Sequence, residues 1–232
     1  MAALRGVRRP IVVVNSAIDP TAARTAGLRL TTYIGTNDFA AGRMAGTKMA
    51  FLLDRGGEVA LLGGVADNLN NHLRLGGFER GIRGAGLRVV ARANADWRRV
   101  KAEIAAERIL RTHPRLSGIF AANDLMALGV VDAVRDSGKS GQVKIVGLDG
   151  ITEALDAVRQ GSMSATVSQY PYLMGVMAVE ACVAAVHGAR LPPRVDAPIA
   201  LVTKASVGRA IASFPRPFHP YSDLFKRLLR KR

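Results

Sequence analysis

Along most of this chain, short apolar runs alternate with longer stretches in which apolar residues return every three or four positions. The runs Ile11 to Val14, Glu58 to Leu62, Leu87 to Ala91, Gly118 to Ala121, Val143 to Val146 and Ala165 to Val167 are aliphatic and partly β-branched, the composition of strands covered on both faces. Between them the period changes. Ala102, Ala105, Ala106, Ile109, Leu110 and His113 fall at i, i+3, i+4, i+7, i+8 and i+11, one apolar helical stripe with Glu103, Glu107 and Arg111 turned to water. Met126, Gly129, Val130, Ala133 and Val134 repeat the pattern, and so do Ile151, Ala154, Leu155 and Val158. Gly56-Gly57, Gly86, Pro114, Gly138 and Gly161 mark helix stops, because glycine accepts the left-handed end of a helix and proline cannot continue the ladder. Strand and helix alternating at this spacing predict an α/β fold: a Rossmann-like parallel sheet with helices on both faces, joined by right-handed crossovers.

Two segments imitate export or membrane signals. Ile11 to Val14 follows arginines, but it falls short of the roughly 7 to 15 apolar residues of a signal core and reads as a strand. Leu173 to Val186 is apolar nearly all round, yet Gly175 and Glu180 interrupt it. It is also shorter than the roughly 20 residues that cross a bilayer, so it reads as a core helix.

With 232 residues, 49% hydrophobic and 22% charged, the chain can bury one large core or two small ones. Its single cysteine, Cys182, excludes an internal disulfide and sits among Val179, Val183 and Val186, where a buried inert thiol is expected. His72, His113, His187 and His219 are too dispersed for a local metal motif, and no metal or other cofactor is expected. The formal net charge of +15 changes the picture less than its size suggests. Residues 1–9 contribute +3 and residues 205–232 contribute +6, so the 195 residues between them carry only +6, scattered among acids along helices. The body of the chain therefore does not read as a nucleic-acid surface. After Lys204 the strand-helix rhythm stops: Phe214 to Pro220 is proline-rich, and Tyr221 to Arg232 is basic, with Leu224, Phe225, Leu228 and Leu229 on one helical face. That stripe suits a membrane surface or a partner, and equally a frayed terminal helix or the tail of an altered reading frame.

In open parallel sheets, ligands sit beyond the carboxyl ends of the strands, where loops vary and helix N-termini point at the crevice. Asn15, with Ser16 beside it, follows IVVV; Asn123 and Asp124 follow IFAA; Asp149 ends VKIVGL; Gln169 follows ATVS. Trp97, the only tryptophan, comes a few residues after LRVVARA, and Arg74 lies in the polar opening of the helix after VALLGG. Planar side chains with paired donors and acceptors suit vicinal hydroxyls, and an indole face suits the C–H face of a sugar ring. The set predicts a site for a small neutral monosaccharide or polyol. Taken singly, each residue has a plainer explanation, Asn123 or Asp149 as a helix N-cap and Trp97 as packing. Catalysis fits poorly. Asp124 and Asp149 form a candidate carboxylate pair, but no GxSxG, P-loop or GxGxxG accompanies them, Gly63-Gly64 lacks the third glycine, and the chain is not expected to be an enzyme.

The stretches TNDFAAGRMAG, NNHLRLGGFERG, NADWRRVKA, IFAANDLMALG, VKIVGLDG, GSMSATVSQYPYLMG and LVTK, in this order and spacing, resemble the periplasmic sugar-binding proteins of ABC importers, the ribose-binding family, from about Pro10 to Lys204. The resemblance implies two Rossmann-like lobes joined by hinge strands that close on a monosaccharide in the cleft between them, in the periplasm, with membrane permease subunits as partners. By position it makes Arg74 the grip on ring hydroxyls, Trp97 the aromatic platform, Asn123 and Asp149 the polar anchors of the C-terminal lobe, and Gln169 the glutamine at a hinge crossing. Asn15 and Ser16 stand where family members often carry Asp-Arg, which leaves the sugar open. The resemblance divides the chain into part of an N-terminal lobe, 10–36 and 170–198, a C-terminal lobe, 37–169 and 199–204, and a basic tail, 205–232. Family members begin with a secretion signal and three strand-helix units, whereas this chain starts at about the fourth strand. It reads as a truncated lobe whose bared apolar surfaces invite self-association. The alternative on the same fold is the effector-binding domain of a lactose-repressor-type regulator without its DNA-binding segment.

Overall fold

The two hydrophobic periods separate into strands and helices in the computed structural model, which describes residues 9–16, 18 and 20–230. Two compact units result. One comprises the described residues up to Asn37 with Tyr170–Pro198 and those from Pro215 onward; the other comprises Asp38–Gln169 and Ile199–Phe214. In chain order the first unit contributes β1 (Val12–Val14), α1 (Pro20–Thr25) and β2 (Thr32–Gly35). The second follows with α2 (Asp38–Leu52), β3 (Gly57–Gly63), α3 (Leu69–Gly81), β4 (Leu87–Asn94), α4 (Arg99–Thr112) and β5 (Leu116–Ala121). It continues through α5 (Asp124–Asp136), β6 (Lys144–Asp149), α6 (Thr152–Gln160) and β7 (Ala165–Ser168). The chain returns to the first unit for α7 (Pro171–Val186) and β8 (Arg194–Asp196), to the second for β9 (Ala200–Thr203) and α8 (Val207–Ser213), and to the first for α9 (Leu224–Arg230).

The sheet of the second unit runs β4-β3-β5-β6-β7-β9. Its strands are parallel except β9, which pairs antiparallel with β7 through Ala165 to Ser168. The parallel sheet expected from the rhythm is present, with β9 added antiparallel at one edge. β9 arrives after the chain has passed through the other unit, so no crossover helix within this unit dictates its direction. Val59 to Leu62 on β3, Ile119 and Phe120 on β5 and Val146 and Leu148 on β6 are fully buried, and Phe78 of α3 stacks on Phe120 with ring centroids 4.5 Å apart. Helices α2 and α3 pack together on this side of the sheet through glycines. A Cβ on Gly42 or Gly46 would strike the carbonyl oxygen of Arg74 or Phe78, and one on Gly77 or Gly81 would strike that of Phe39 or Arg43. At the opposite end of the pattern, Gly161 closes α6 with φ 88°, the left-handed cap expected there.

The first unit holds a three-stranded parallel sheet, β1-β2-β8, with α7 packed on β1 and β2. Leu173, Met174, Met177, Ala181 and Ala184 of α7 are buried, while Val179, Val183 and Val186 stay 65%, 42% and 62% exposed, and Cys182 is half-buried rather than enclosed. Among the described residues no helix is long and apolar enough to cross a membrane.

The C-terminal stretch departs from expectation twice. Residues 205–214, expected to belong to the basic tail, belong to the second unit, where α8 buries Val207 and Ala210 and packs against α6. Two small apolar residues three positions apart were too weak a stripe to stand out in the sequence. The stripe of Leu224, Phe225, Leu228 and Leu229 also finds an intramolecular partner, since α9 packs on α7 with Phe225 fully buried. Lys226 and Arg227 remain on the exposed side.

Candidate functional site

The strand order of the second unit reverses at β3: the chain leaves it outward to β4, then returns to its other side for β5. A crevice opens beyond the strand ends at such a reversal. The glycine-lined contact of α2 with α3 brings Asp38, the first residue of α2, against Arg74 in the middle of α3. Arg74 Nε donates to Asp38 Oδ1 at 2.7 Å, and Nη1 donates both to the Ala122 carbonyl at 2.7 Å, just past β5, and to Asp149 Oδ1 at 3.2 Å, at the end of β6. Arg74 is only 5% exposed. Buried cations persist where ion pairs and hydrogen bonds offset their desolvation, and this guanidinium faces two carboxylates. Its Nη2 makes no hydrogen bond among the described residues.

Trp97 reaches the same place by a tight turn. Asp96 and Trp97 both take left-handed backbone conformations, φ 51° and 63°, and Asp96 accepts a hydrogen bond from Lys101 Nζ. The half-buried indole lies on Gly64, where a Cβ would overlap the ring, and the Arg74 guanidinium carbon sits 5.6 Å from the ring centroid. The residue after β3 therefore has to be glycine for the platform to fit.

Asp149 ends β6 with φ 144°, followed by Gly150 at φ 75°. Its Oδ1 accepts from Gln169 Nε2 at 2.6 Å, and its carbonyl accepts from the Gln169 N–H at 3.0 Å. Burial pushes the Asp149 carboxyl above the usual carboxylate range, against the opposing pull of Arg74 and Gln169. Asn123 caps α5, its Oδ1 accepting from the Met126 N–H at 2.9 Å, so the plainer explanation offered by the sequence applies to it. Its Nδ2 makes no hydrogen bond among the described residues.

Arg74, Trp97, Asp149 and Gln169 are thus joined in one network, and Asn123 adjoins it through the neighbouring Ala122 carbonyl. Asp124 is corrected as a candidate ligand contact: it is fully buried, and both its oxygens accept hydrogen bonds from the protein. Asn15 and Ser16 lie in the first unit, at the end of β1, where Asn15 takes φ 61° and its carbonyl accepts from the Tyr33 hydroxyl. Sequence reasoning missed Asp38 and Thr166. Asp38 opens a helix after Asn37, a signal that on its own means only a helix start. Among the described residues no group of three or more His, Cys, Asp or Glu side chains is placed to hold a metal ion.

An α/β sheet that carries this arginine-centred network at its strand ends has the form of a ligand-binding domain. The chain belongs to the periplasmic binding protein domain family, whose model matches residues 5–190. It is 35% identical over 205 residues to the D-allose-binding periplasmic protein of Escherichia coli, an alignment covering 85% of this chain and 65% of that protein. To the ribose import binding protein RbsB of Bacillus subtilis it is 35% identical over 176 residues, 76% of this chain and 57% of the relative. A solved structure of a periplasmic solute binding protein of an ABC transporter from Actinobacillus succinogenes, with bound D-allose, superposes with a TM-score of 0.82 at 32% identity, over 86% of this chain and 70% of that one. The chain spans 57% to 65% of the length of these two curated relatives. The family is one of binding proteins, not enzymes.

Proposed function

We propose that this chain captures a small neutral monosaccharide or polyol at the strand ends of its second unit and, in the periplasm, hands it to the membrane permease of an ABC importer. One observation carries the reading. Arg74 is locked by Asp38, the Ala122 carbonyl and Asp149, with Nη2 uncommitted beside the Trp97 indole. A rigid donor next to an aromatic face matches the hydroxyls and C–H face of a pyranose or furanose, and a partner prepared in advance loses little freedom on binding. Relatives named for D-allose and ribose support the same ligand class.

Because Trp97 is the only tryptophan, its fluorescence reports on this site alone. Titration with D-allose, D-ribose, D-fucose and D-arabinose is expected to change the emission with at least one of them. Asp149→Ala should weaken that binding by about 1.5 to 3 kcal/mol, the range for a hydrogen bond to a charged group. Unchanged emission with all four, both in this chain and in a version extended upstream to the relatives' length, would refute the sugar reading.

The exposed valines of α7 and the half-exposed Val14 of β1 give the first unit an apolar surface beside a strand that pairs with β2 alone among the described residues. We propose that copies associate through it, since open edges and apolar patches pair readily. Sedimentation velocity should show a concentration-dependent dimer or larger species that Val179→Lys with Val183→Lys suppresses. A monomer at all concentrations would remove the proposal.

A further inference from the structure

Asp124 adjoins the site and yet offers a ligand nothing. Its Oδ2 accepts from the N–H groups of Gly150 and Ile151, at 2.6 and 3.1 Å, and its Oδ1 accepts from the Thr166 hydroxyl at 2.7 Å. The first two donors belong to the turn that carries Asp149. We propose that Asp124 is a positioning residue acting through Asp149, its buried carboxylate clamping the Gly150 and Ile151 N–H groups so that the turn keeps the Asp149 carboxylate on Arg74 and Gln169. The inference deepens the reading of Asp149 as a ligand anchor and rests on it.

Three features call for such a clamp. Asp149 holds φ 144°, a conformation at ease only in glycine, and strain of this kind persists only when the surroundings over-determine it. The helix that follows begins at an N-cap, Ile151, that makes no side-chain capping bond. Asp124, 27 residues earlier, accepts from the N–H of this N-cap residue, one of the N–H groups at a helix start that have no partner within the helix. Gly147 of β6 also leaves room for it, since a Cβ there would strike Asp124 Oδ1.

The charged groups around the clamp are Asp149 on β6, Arg74 on α3, which holds Asp149, and Asp38 on α2 beyond it. Burial, then the charge of Asp149, raises the Asp124 carboxyl from 3.8 to about 7. A protonated carboxyl keeps the clamp, because its carbonyl oxygen still accepts from both N–H groups while its hydroxyl donates to Thr166. An asparagine does the same with its amide. Since the folded state binds this proton more tightly, the Asp124 contribution to stability falls as pH rises from about 4 to about 7 and is level above that. Asp124→Asn removes that slope.

The test uses the whole chain, first without ligand. In the wild type, the Gly150 and Ile151 amide resonances should titrate near neutral pH; in Asp124→Asn they should stay put across that range. In Asp124→Ala they should move together with the Gln169 Nε2 and Arg74 Nε resonances. With D-allose or D-ribose as the probe, Asp124→Ala should weaken binding about tenfold or more, the loss of one charged hydrogen bond, while Asp124→Asn stays near wild type. If Asp124→Ala does not fold, Ile151→Pro takes its place. It deletes one clamped N–H at a residue whose φ of −69° suits proline, and the same side-chain resonances should shift, less far. The clamp is overturned if Gln169 and Arg74 resonances do not respond to either variant, or if Asp124→Asn is as damaging as Asp124→Ala. Failure of the wild type to bind either sugar would fall on the functional reading, and the ligand-free spectra would still decide the clamp.

Discussion

Arg74→Met is expected to destabilise the second unit by about 3 to 5 kcal/mol, the cost of leaving a buried charge without its partner. Methionine keeps the length and apolar stem of the arginine, so little cavity is created. What it removes is the guanidinium between Asp38 and Asp149, both of which it holds by direct hydrogen bonds. Asp38 is 3% exposed, so little bulk water reaches it to replace the guanidinium. The Ala122 carbonyl loses its donor as well. At Asp149 the positive charge that offsets burial disappears, so its carboxyl rises further and the variant recovers stability as the solution is made acid. Urea denaturation at neutral and acid pH measures both effects. The double variant Arg74→Met with Asp38→Asn should be less destabilised than the sum of the two singles. Strict additivity would mean the pair is not a pair.

Two adjacent glycines on α3 are expected to answer the same substitution with opposite signs. Gly77→Ala places a methyl against the Phe39 carbonyl oxygen and the Arg43 N–H of α2. Both obstacles are backbone and no rotamer change relieves them, so the helices must separate, at the upper end of the about 1 to 3 kcal/mol typical of overpacking. Gly76→Ala meets nothing within 4 Å and gains the helix-interior advantage of alanine over glycine, about 1 kcal/mol. Thermal melts of the two variants should lie on opposite sides of the wild type. Because Arg74 rides on α3 and Asp38 opens α2, Gly77→Ala should also loosen the Arg74–Asp38 contact and weaken the sugar binding proposed for the Trp97 site. A neutral Gly77→Ala would show that the helices can separate freely and that their glycines do not position the arginine.

Local chemistry was legible in the sequence. The strand runs became β1, β3, β4, β5, β6 and β7 within a few residues, because aliphatic and β-branched side chains favour extended backbone; β3, β5, β6 and β7 are buried along most of their length, whereas the edge strands β1 and β4 are not. The stripes of α4, α5 and α6 are buried much as their period predicted, Glu103 and Ala105 lying at the half-buried boundary. Short β2 and β8, three or four residues each, carry too few side chains for a period to register. At the site, Asn123, Asp149 and Gln169 were read from strand ends and Trp97 from the turn a few residues past one, since chain direction in a parallel sheet carries every strand's carboxyl end to the same edge; Arg74 was read from the helix that follows a strand and lies in the middle of α3.

What the sequence by itself determined, then, is the longer elements and the edge on which their last residues emerge, because propensity, period and capping act between residues a few positions apart. Only the tertiary structure decided which of two neighbouring polar residues keeps a donor uncommitted and which is consumed: Asn123 keeps its amide while Asp124, one position on, turns inward and accepts from a turn 26 residues away. It also decided that Asp38 would neutralise Arg74 across 36 residues, that β9 would run antiparallel, and that the basic terminal helix would lie on α7. Each of these depends on which surfaces the sheet order brings face to face, and desolvation rewards or penalises a charge only once its neighbours in space are set.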